Sequence, residues 1–221
     1  MADYRIRKYE DDDYEAARDI FASGMSEHFP GIFMHALKQP CSQLFLVCVL
    51  CALLLSSKSF LFPILAVTLL LAAGRQGVVY LSSKYIELSL NADLLDINKT
   101  YMESKGSCFW VAESNDIVVG MVAVMPSKKE AGTLELKRLS VRNNYRGLGI
   151  AKALCRTVSD FARLNGYQAV VLSTSVVQYE AQKLYEGVGY KKTKEYVFDS
   201  IPGKIMNFTI YVYRYDIATP N

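Results

Sequence analysis

The sequence predicts an α+β domain with a mixed, mostly antiparallel sheet flanked by helices, into which a hydrophobic helical hairpin is inserted. Three observations lead to this prediction. Strand-like segments alternate with amphipathic helical segments, two glycines separate a strand from a helix near residue 148, and apolar residues are concentrated in two runs near residue 55. A chain of 221 residues is long enough for one ordinary domain and an insertion.

The first elements are a short strand and a helix. Residues 4–9, YRIRKY, predict the strand, and the acidic run DDDY suits the positive end of the helix that follows. Apolar residues recur along this helix at a helical period, namely Tyr14, Ala17, Phe21 and Met25. We assign residues 1–40 to the first strand and helix of the globular domain.

Two apolar runs follow, LFLVCVLCALLL at 44–55 and FLFPILAVTLLLAA at 60–73. Each run is shorter than the ~20 residues that a perpendicular membrane span needs, although flanking residues could extend both. Because neither run has a polar face, they predict a membrane-embedded hairpin over residues 41–83, full-depth or re-entrant, with Lys58 at its turn. The alternative is a buried core hairpin of a soluble domain.

Residues 84–221 predict the main part of the domain, with ordinary composition. The first predicted elements are a helix at 85–104, a β-hairpin at 109–126 with its turn near Asn115 and Asp116, and a strand at 134–141. A helix at 150–164 and a nearly all-apolar strand at 169–174 follow. The last are a short helix from Tyr179, with Gly187 and Gly189 past its end, and an alternating strand at 208–217. The all-apolar strand is typical of a sheet position that is covered on both faces.

Several function classes are excluded by composition. The formal net charge is only +3, which gives no footprint for nucleic-acid binding. Five cysteines form no disulfide framework or zinc pattern, and two histidines leave poor prospects for a metal site or a Ser-His-Asp triad. The charged N-terminal segment predicts no cleavable signal peptide. We therefore expect catalysis without a metal.

The stretch RNNYRGLGIAKAL, at residues 142–154, predicts a phosphate-binding turn. Glycines between a strand and a helix let an anion approach bare backbone N–H groups at the helix N-terminus. A dinucleotide-binding loop fits badly because Lys152 occupies the third small position, and a Walker loop fits badly because Ala153 follows that lysine. The pattern R-x-x-G-x-G/A fits from Arg146 to Ala151.

The stretches ELKRLSVRNNYRGLGIAKAL and LYEGVGYKKT resemble the acetyl-CoA-binding core of the GCN5-related N-acetyltransferase (GNAT) superfamily, over most of residues 4–9 and 85–215. The hydrophobic insertion, together with GSCFWVAES, VVGMVAVMP and GIAKALCRTV, is similar to the N-acetyltransferase 8 (camello) family, which includes the brain aspartate N-acetyltransferase. The resemblance implies an endoplasmic-reticulum acetyltransferase that uses acetyl-CoA as co-substrate. Shorter members of this family acetylate cysteine S-conjugates.

The resemblance also implies where the coenzyme binds. The diphosphate would be held by the loop residues Arg146, Gly147, Leu148, Gly149, Ile150, Ala151 and Lys152. The pantetheine arm would lie between the strand bearing Leu139, Ser140 and Val141 and the strand ending at Thr174. Gln178 stands where the superfamily often has an asparagine, so its hydrogen bond to the coenzyme is open.

Two residues carry the chemistry in this interpretation. Glu135 would act through water as the base that deprotonates the amine, or would be a solvent-facing glutamate paired with Lys137. Tyr185 would protonate the departing thiolate, or would be a core aromatic. A backbone N–H near Leu139 would stabilise the oxyanion. Cys155, in an apolar helix without a nearby histidine, favours a buried residue over an acetyl-enzyme nucleophile, so direct transfer is preferred.

The acceptor is expected to be a small primary amine, most simply a cysteine S-conjugate. Lysine side chains of proteins in the secretory pathway and aspartate are the alternatives. A non-enzymatic alternative is a coenzyme-binding membrane protein that affects adhesion or trafficking. All of these alternatives are compatible with the same fold. The sequence carries no diagnostic motif for the amine pocket, so it does not decide between them.

The topology prediction follows from the two flanks of the hairpin. If both belong to one domain, the chain crosses the bilayer an even number of times or re-enters. Lys38, Arg75 and Lys84 on the domain side favour a catalytic domain in the cytosol, on the endoplasmic-reticulum membrane, whereas Lys58 weighs against it. Sequons begin at Asn98 and Asn207, and glycosylation of either would instead place the domain in the lumen.

Overall fold

The computed structural model describes residues 3–57 and 59–217. Its strands are β1 (Arg5–Lys8), β2 (Cys108–Ser114), β3 (Ile117–Pro126), β4 (Thr133–Val141), β5 (Ala169–Ser175), β6 (Lys191–Val197) and β7 (Thr209–Asp216). Its α-helices are α1 (Tyr14–Ser26), α2 (Phe29–Leu37), α3 (Pro40–Ser56), α4 (Leu61–Leu90), α5 (Ile150–Leu164), α6 (Tyr179–Val188) and α7 (Ile201–Ile205). A π-helical turn spans Asn98–Met102.

The strands form one seven-stranded sheet in the order β1-β2-β3-β4-β5-β7-β6. Only the β4–β5 pair is parallel, and the other neighbouring pairs are antiparallel. The predicted mixed, mostly antiparallel sheet is therefore confirmed. The predicted turn is also confirmed, because Asn115 and Asp116 both adopt positive φ, at 50° and 59°, in the two-residue connection of β2 to β3.

Apolar side chains cover both faces of the sheet. On one face, α5 and α6 pack onto the sheet over a core that includes Trp110, Leu154 and Tyr185. On the other face, α1 and the segment after α4 pack over a core that includes Phe21, Tyr101 and Phe109. We call these the α5-side core and the α1-side core. Strands β2 and β3 are covered on both faces. The cover predicted for both faces of strand 169–174 is wrong, because β5 packs on the α5-side core through Val170 and Leu172, whereas Ser173 on its other face is exposed.

The two apolar runs form α3 and the first half of α4, and most of their side chains are exposed. The predicted turn residue Lys58 lies outside the described residues. The predicted separate helix at 85–104 is wrong, because α4 continues without a break from Leu61 to Leu90 and ends at Asn91. The composition changes at Arg75, but the helix continues through that residue.

Three further elements differ from the sequence prediction. The helix α2 and the edge strand β6 have no counterpart in it, since β6, KKTKEYV, is exposed at every position and shows no apolar alternation. The short helix α7 is likewise unpredicted. Gly187 lies within α6 and not past its end, whereas Gly189 does terminate that helix with a φ of +106°.

Candidate active site

A β-bulge lies in the middle of β4. Met121 of β3 pairs with Ser140 and Ala123 pairs with Lys137, so that two residues of β4, Arg138 and Leu139, face a single residue of β3. Arg138 has a φ of +58°, which is uncommon for a residue with a side chain. The bulge bends β4 and re-aims the side chains and peptide groups that follow it.

Strands β4 and β5 separate beyond this bend. Their parallel pairing covers only Thr133–Glu135 against Ala169–Val171, although β4 continues to Val141 and β5 to Ser175. The facing edges of 136–141 and 172–175 therefore have no strand partner across the gap. The residues predicted to flank the pantetheine arm, Leu139 to Val141 and Thr174, line this gap between β4 and β5.

The side chains along the gap point to opposite faces of the sheet. Leu139 and Val141 pack on the α5-side core, and the hydroxyl of Ser140 donates to the carbonyl of Ile20 in α1 at 3.3 Å. The side chain of Ser140 is thereby engaged with the protein itself. What these residues offer to a ligand in the gap is their backbone.

The glycine loop joins the end of β4 to α5. Gly147 and Gly149 have φ values of +77° and +84°, and no heavy atom lies within 4 Å of the position that a Cβ would take at either residue. Gly149 is the N-cap of α5, and no side chain caps that helix. The first N–H groups of a helix have no intrahelical partner, so those of Ile150, Ala151 and Lys152 remain available to an anion.

The side chains of the loop divide by role. Ile150 is buried on the sheet and fixes the start of α5, whereas Leu148 is 47% exposed. The Arg146 guanidinium donates to the carbonyl of Val141 at 3.0 Å and pairs with Glu27, at the end of α1, at 2.6 Å. Arg146 therefore ties the loop to β4 and α1, a restraint that the sequence pattern did not reveal.

A cleft of about 280 Å³ extends from the loop between α5 and α6. Its basic residues, Lys152, Arg156 and Arg163, occupy one side of α5, and Gly187 and Tyr215 lie opposite. Within the described ranges Lys152 and Arg156 have no acidic partner, whereas Arg163 pairs with Asp160. The cleft is positively charged where it meets the glycine loop.

Tyr185 lies in α6 and is only 7% exposed. Its ring packs near those of Tyr190 and Tyr213, with centroids 5.8 and 6.0 Å away. Burial, together with the nearby Cys155, raises the pKa of the Tyr185 hydroxyl, which keeps the proton in place at neutral pH. Cys155 is itself fully buried, and burial raises the pKa of its thiol to about 12, so it is a poor nucleophile.

Thr174 and Gln178 come together where β5 leads into α6. The Gln178 side-chain oxygen accepts from the Thr174 hydroxyl at 3.1 Å and from the Ser175 backbone N–H at 3.0 Å. Its oxygen is therefore occupied by the turn. The amide nitrogen of Gln178 has no partner in the described part of the chain and can donate toward the gap.

Glu135 and Lys137 lie on the face of β4 opposite the buried Leu134 and Leu136. Both are partly buried. The predicted alternative for Glu135, an ion pair with Lys137, is not present among the described residues. The Lys137 ammonium instead lies 3.9 Å from the sulfur of Met125, without an acidic partner in residues 3–57 and 59–217.

A buried charge cluster sits beside these two residues. The Arg138 guanidinium forms a two-point ion pair with Asp93, and the hydroxyl of Tyr101 donates to the same carboxylate. The side chains of Arg138 and Asp93 are only 10% and 14% exposed, and the guanidinium lies 4.5 Å over the ring of Phe21. We call Asp93, Tyr101 and Arg138 the bulge cluster.

The bulge cluster has a defined electrostatic state. Burial alone raises the pKa of Asp93, but hydrogen bonds and charge from Arg138, with help from Tyr101, outweigh it and hold that pKa below its usual value. The pair is therefore ionised at neutral pH. Sequence reasoning missed it because Asp93 and Arg138 are 45 positions apart, and the only local signal was a second basic residue within the strand LELKRLSV.

Comparison with known proteins places this geometry in a family. A sequence profile described as an acetyltransferase (GNAT) domain matches residues 105–192. The chain is 40% identical to a probable N-acetyltransferase camello of Xenopus tropicalis, over 99% of this chain and 100% of that protein. It is also 40% identical to N-acetyltransferase family 8 member 7 of Mus musculus, over 100% of this chain and 98% of that protein.

Solved structures show the same fold at low sequence identity. A GNAT-family acetyltransferase from Staphylococcus aureus Mu50 is 16% identical, with a TM-score of 0.60, over 98% of this chain and all of that one. A GCN5-related N-acetyltransferase from Kribbella flavida is 15% identical, with a TM-score of 0.56, over 96% and 97% of the two chains. Together with the full-length relatives, these matches show that the chain belongs to the N-acetyltransferase 8 (camello) family of GNAT-fold acetyltransferases.

Proposed function

We propose that this N-acetyltransferase transfers the acetyl group of acetyl-CoA to the α-amine of cysteine S-conjugates at the endoplasmic-reticulum membrane. The observation that carries the proposal is the gap between β4 and β5, which ends at the uncapped N-terminus of α5. A pantetheine arm can pair with the free strand edges there, while the diphosphate meets the N–H groups of the glycine loop.

The coenzyme site extends beyond the loop. Lys152 and Arg156 supply positive charge along the cleft between α5 and α6, where phosphate groups of the nucleotide part would be neutralised. Gln178 offers its amide nitrogen from the other side of the gap. Arg146 acts in this proposal as a positioning residue, since its guanidinium holds the loop against Val141 and Glu27.

The chemical step follows from the residues around the gap. Glu135 accepts a proton from the acceptor amine through a water, and the amine attacks the thioester carbonyl. The N–H near Leu139, presented by the bulge, stabilises the oxyanion. When the C–S bond breaks and the amide is complete, Tyr185 donates its proton to the departing thiolate. No covalent acetyl-enzyme is formed, consistent with the inert environment of Cys155.

Lys137 supports an amino acid as the acceptor. It is a partly buried cation without an acidic partner in the described chain, two residues from Glu135 on the same face of β4. A carboxylate next to the reacting amine would pair with this ammonium, as the α-carboxylate of a cysteine conjugate can. A lysine side chain within a protein has no carboxylate at that distance.

The hairpin supports a membrane location. Leu61–Leu90 is long and apolar enough to cross a membrane, and nearly all of its apolar part is exposed. Its partner α3 has only 17 residues and is about 25 Å long, less than the ~30 Å of a hydrocarbon core, and Arg75 interrupts the apolar side chains of α4. We therefore favour a re-entrant hairpin over residues 41–83.

Both flanks of the hairpin lie on the same side of the membrane in this proposal. Strand β1, before the hairpin, pairs with β2, after it, from Arg5 opposite Glu113 to Lys8 opposite Trp110. This pairing supports the proposal that the two flanks build one domain, whose flanking lysines and arginine favour the cytosol. An apolar S-substituent would partition to this surface, which gives the anchor a purpose.

Replacing Gly149 by alanine is expected to weaken coenzyme A binding about tenfold, because a side chain at φ +84° costs about 1–2 kcal/mol and moves the N–H groups of α5. Isothermal titration of the detergent-solubilised protein with coenzyme A measures the effect. Gly77→Ala is the control, since that helical glycine has ordinary φ and open space around it. Equal affinity of the two variants would remove the loop from the coenzyme site.

Replacing Glu135 by glutamine is expected to lower kcat about 10²-fold, since the amide cannot take the proton of the amine. Steady-state turnover with saturating acetyl-CoA measures this loss. Glu180→Gln, at an exposed glutamate of α6 paired with Lys183, should leave kcat unchanged. Full activity of Glu135→Gln would show that the carboxylate is only a surface group of β4.

Replacing Lys137 by glutamine is expected to raise KM for S-benzyl-cysteine about tenfold, the loss of one charge-assisted hydrogen bond. The KM for S-benzyl-cysteamine, which has no carboxylate, should not change. Wild-type enzyme is compared on both amines, on aspartate and on a lysine peptide. Turnover of the peptide alone would reject the proposed acceptor and show that the enzyme is a protein lysine acetyltransferase. Turnover of aspartate alone would show that the acceptor is an amino acid without an apolar substituent.

A further inference from the structure

A second apolar surface lies away from the hairpin, at the connection from β6 to β7. Five large apolar side chains are exposed there within ten residues: Tyr196 (45%), Val197 (39%), Phe198 (46%), Ile201 (77%) and Ile205 (60%). We call these residues the α7 patch. Tyr196 and Val197 are consecutive on β6 and point to opposite faces of the strand, and the other three project from the connection that follows. Exposed large apolar side chains concentrated in this way mark a candidate interaction site.

The connection itself is well folded. The N–H of Phe198 donates to the carbonyl of Phe208 at 2.8 Å, the N–H of Phe208 donates to that of Gly203 at 2.8 Å, and the Ser200 hydroxyl caps α7. Gly203 is so closely packed that a Cβ there would lie 2.5 Å from the carbonyl oxygen of Phe198. The apolar side chains are therefore held outward by an ordered scaffold.

The α7 patch adjoins the base of the hairpin. The ring of His35, in α2, lies 3.3 Å from the carbonyl oxygen of Asn207 and packs edge-on against Phe208, with 6.1 Å between centroids. Helix α2 leads through two residues into α3, and the side chain of Gln39 bonds back to the His35 carbonyl at 3.1 Å. The connection that carries the patch therefore contacts α2, the helix that leads into the hairpin.

Charge on β6 identifies the kind of surface that fits. Residues 191–205 contain four lysines against two acidic residues. Lys192 and Lys204 are paired with Glu195 and Asp199, whereas Lys191 and Lys194 have no acidic partner in the described part of the chain. Through their partners on β7, Lys191 and Lys194 lie on the same face of β6 as Tyr196, and Lys194 is two residues, about 7 Å, from that ring. This spacing suits a phospholipid headgroup beside an inserted apolar residue.

We propose that the α7 patch inserts into the interface of the bilayer that holds the hairpin, with Lys191 and Lys194 on anionic headgroups. The inference rests on the proposed membrane anchoring and goes beyond it. Apolar side chains beside basic ones, on a short element, are the pattern of an interfacial contact and not of a span. Two contacts on opposite sides of α2 fix the tilt of the domain, so that α2 lies along the membrane surface.

The test uses the full-length protein reconstituted in vesicles of phosphatidylcholine and phosphatidylserine, with either ordinary or brominated acyl chains. Tryptophan is placed at Ile201 in the patch, at Leu55 in the hairpin, or at Leu164 as a control. Leu164 is 86% exposed and lies at the end of α5, near the start of β5. The patch lies near the opposite end of β5, where the N–H of Val176 donates to the carbonyl of Thr209. Leu164 is therefore exposed but distant from the patch. The native Trp110 is buried and supplies a constant background.

The expected result is bromine quenching of I201W and L55W and no quenching of L164W. Quenching of L55W without I201W would overturn the proposal and leave the anchor intact. An unquenched L55W would mean that the anchor itself fails, and with it this inference. A blue shift of I201W without bromine quenching would indicate a protein partner or a second copy, and would also overturn it.

The headgroup contact has its own measurement. In the I201W background, the pair Lys191→Gln and Lys194→Gln is expected to reduce quenching in vesicles containing phosphatidylserine and to have little effect in pure phosphatidylcholine. Lys183→Gln, at a lysine of α6 already paired with Glu180, is the control for loss of a positive charge outside β6. Equal quenching of the double variant and this control in both vesicle types would overturn the assignment of these lysines to anionic lipid.

Discussion

Replacing Tyr185 by phenylalanine is expected to lower kcat about 10³-fold, with little change in the affinity for coenzyme A. The departing thiolate then has no positioned proton donor, while the ring keeps its packing beside Tyr190 and Tyr213. Burial raises the pKa of Tyr185 above that of an ordinary tyrosine, so the wild-type enzyme stays protonated there across the neutral range. Steady-state kcat measured across the neutral pH range gives the loss of activity and shows whether Tyr185 stays protonated there. Isothermal titration with coenzyme A measures the affinity.

The same aromatic cluster provides a matched control. Tyr190 is 2% exposed, and its hydroxyl is the buried side-chain oxygen that has no hydrogen-bond partner among the described residues. Removing it in Tyr190→Phe deletes an unsatisfied polar group, so stability should be equal or higher and kcat unchanged. If the two phenylalanine variants lose activity equally, the effect of Tyr185 is one of packing and the assignment of the acid is wrong.

The strands other than β6, the glycine loop and α5 could be predicted from the sequence because each has a local pattern, which the exposed strand β6 lacks. The turn at Asn115 and Asp116 needs residues that tolerate positive φ, and α5 spans Ile150–Leu164 as its apolar period predicted. The gap between β4 and β5 was implied only by the family resemblance. Its origin in a bulge at Arg138 is a property of strand pairing that no single segment carries.

The bulge cluster and the path of α4 could not be predicted for a related reason. Asp93 follows a helix end and Arg138 lies within a strand, and only the packing of α1 and α4 against β4 brings them together. The composition turns ordinary after Arg75, which suggested that a separate helix begins at residue 85. In the structure Gly74 faces the ring of Phe33 in α2, and a Cβ added to Gly74 would lie 3.8 Å from that ring. The helix α4 continues through this contact.

The position of the hairpin has a consequence for access to the site. Helix α2 precedes the hairpin and packs on α4. Gly31 of α2 lies beside Val177, just past the end of β5, where a Cβ on Gly31 would be in ordinary contact with that side chain at 3.8 Å. The open end of the gap between β4 and β5 therefore lies near the helix that precedes the hairpin. In the proposed membrane location, an acceptor with an apolar substituent would approach the gap along the membrane surface without first crossing bulk water.

Replacing Asp93 by asparagine is expected to reduce the free energy of unfolding by about 3–5 kcal/mol, because Arg138 is left as a buried charge without a counterion. The single Trp110, buried in the α5-side core, reports unfolding by its fluorescence in detergent solution. Asp160→Asn, which breaks the exposed pair with Arg163, is the control and should change stability by less than about 1 kcal/mol. Similar losses in both variants would contradict the buried pair.

The pH dependence of stability gives this prediction a second readout. The folded-state pKa of Asp93 is depressed, so its contribution to stability is fully present above the unfolded pKa of about 3.9 and is lost as pH falls through the folded pKa. Wild-type protein should therefore lose stability more steeply in acid than Asp93→Asn does.

Replacing both partners, Asp93→Leu with Arg138→Met, should recover much of the stability. The kcat of this double variant should nevertheless be low, because the ion pair that holds the bulge and its N–H near Leu139 is then absent. Full activity of that double variant would separate the bulge cluster from catalysis.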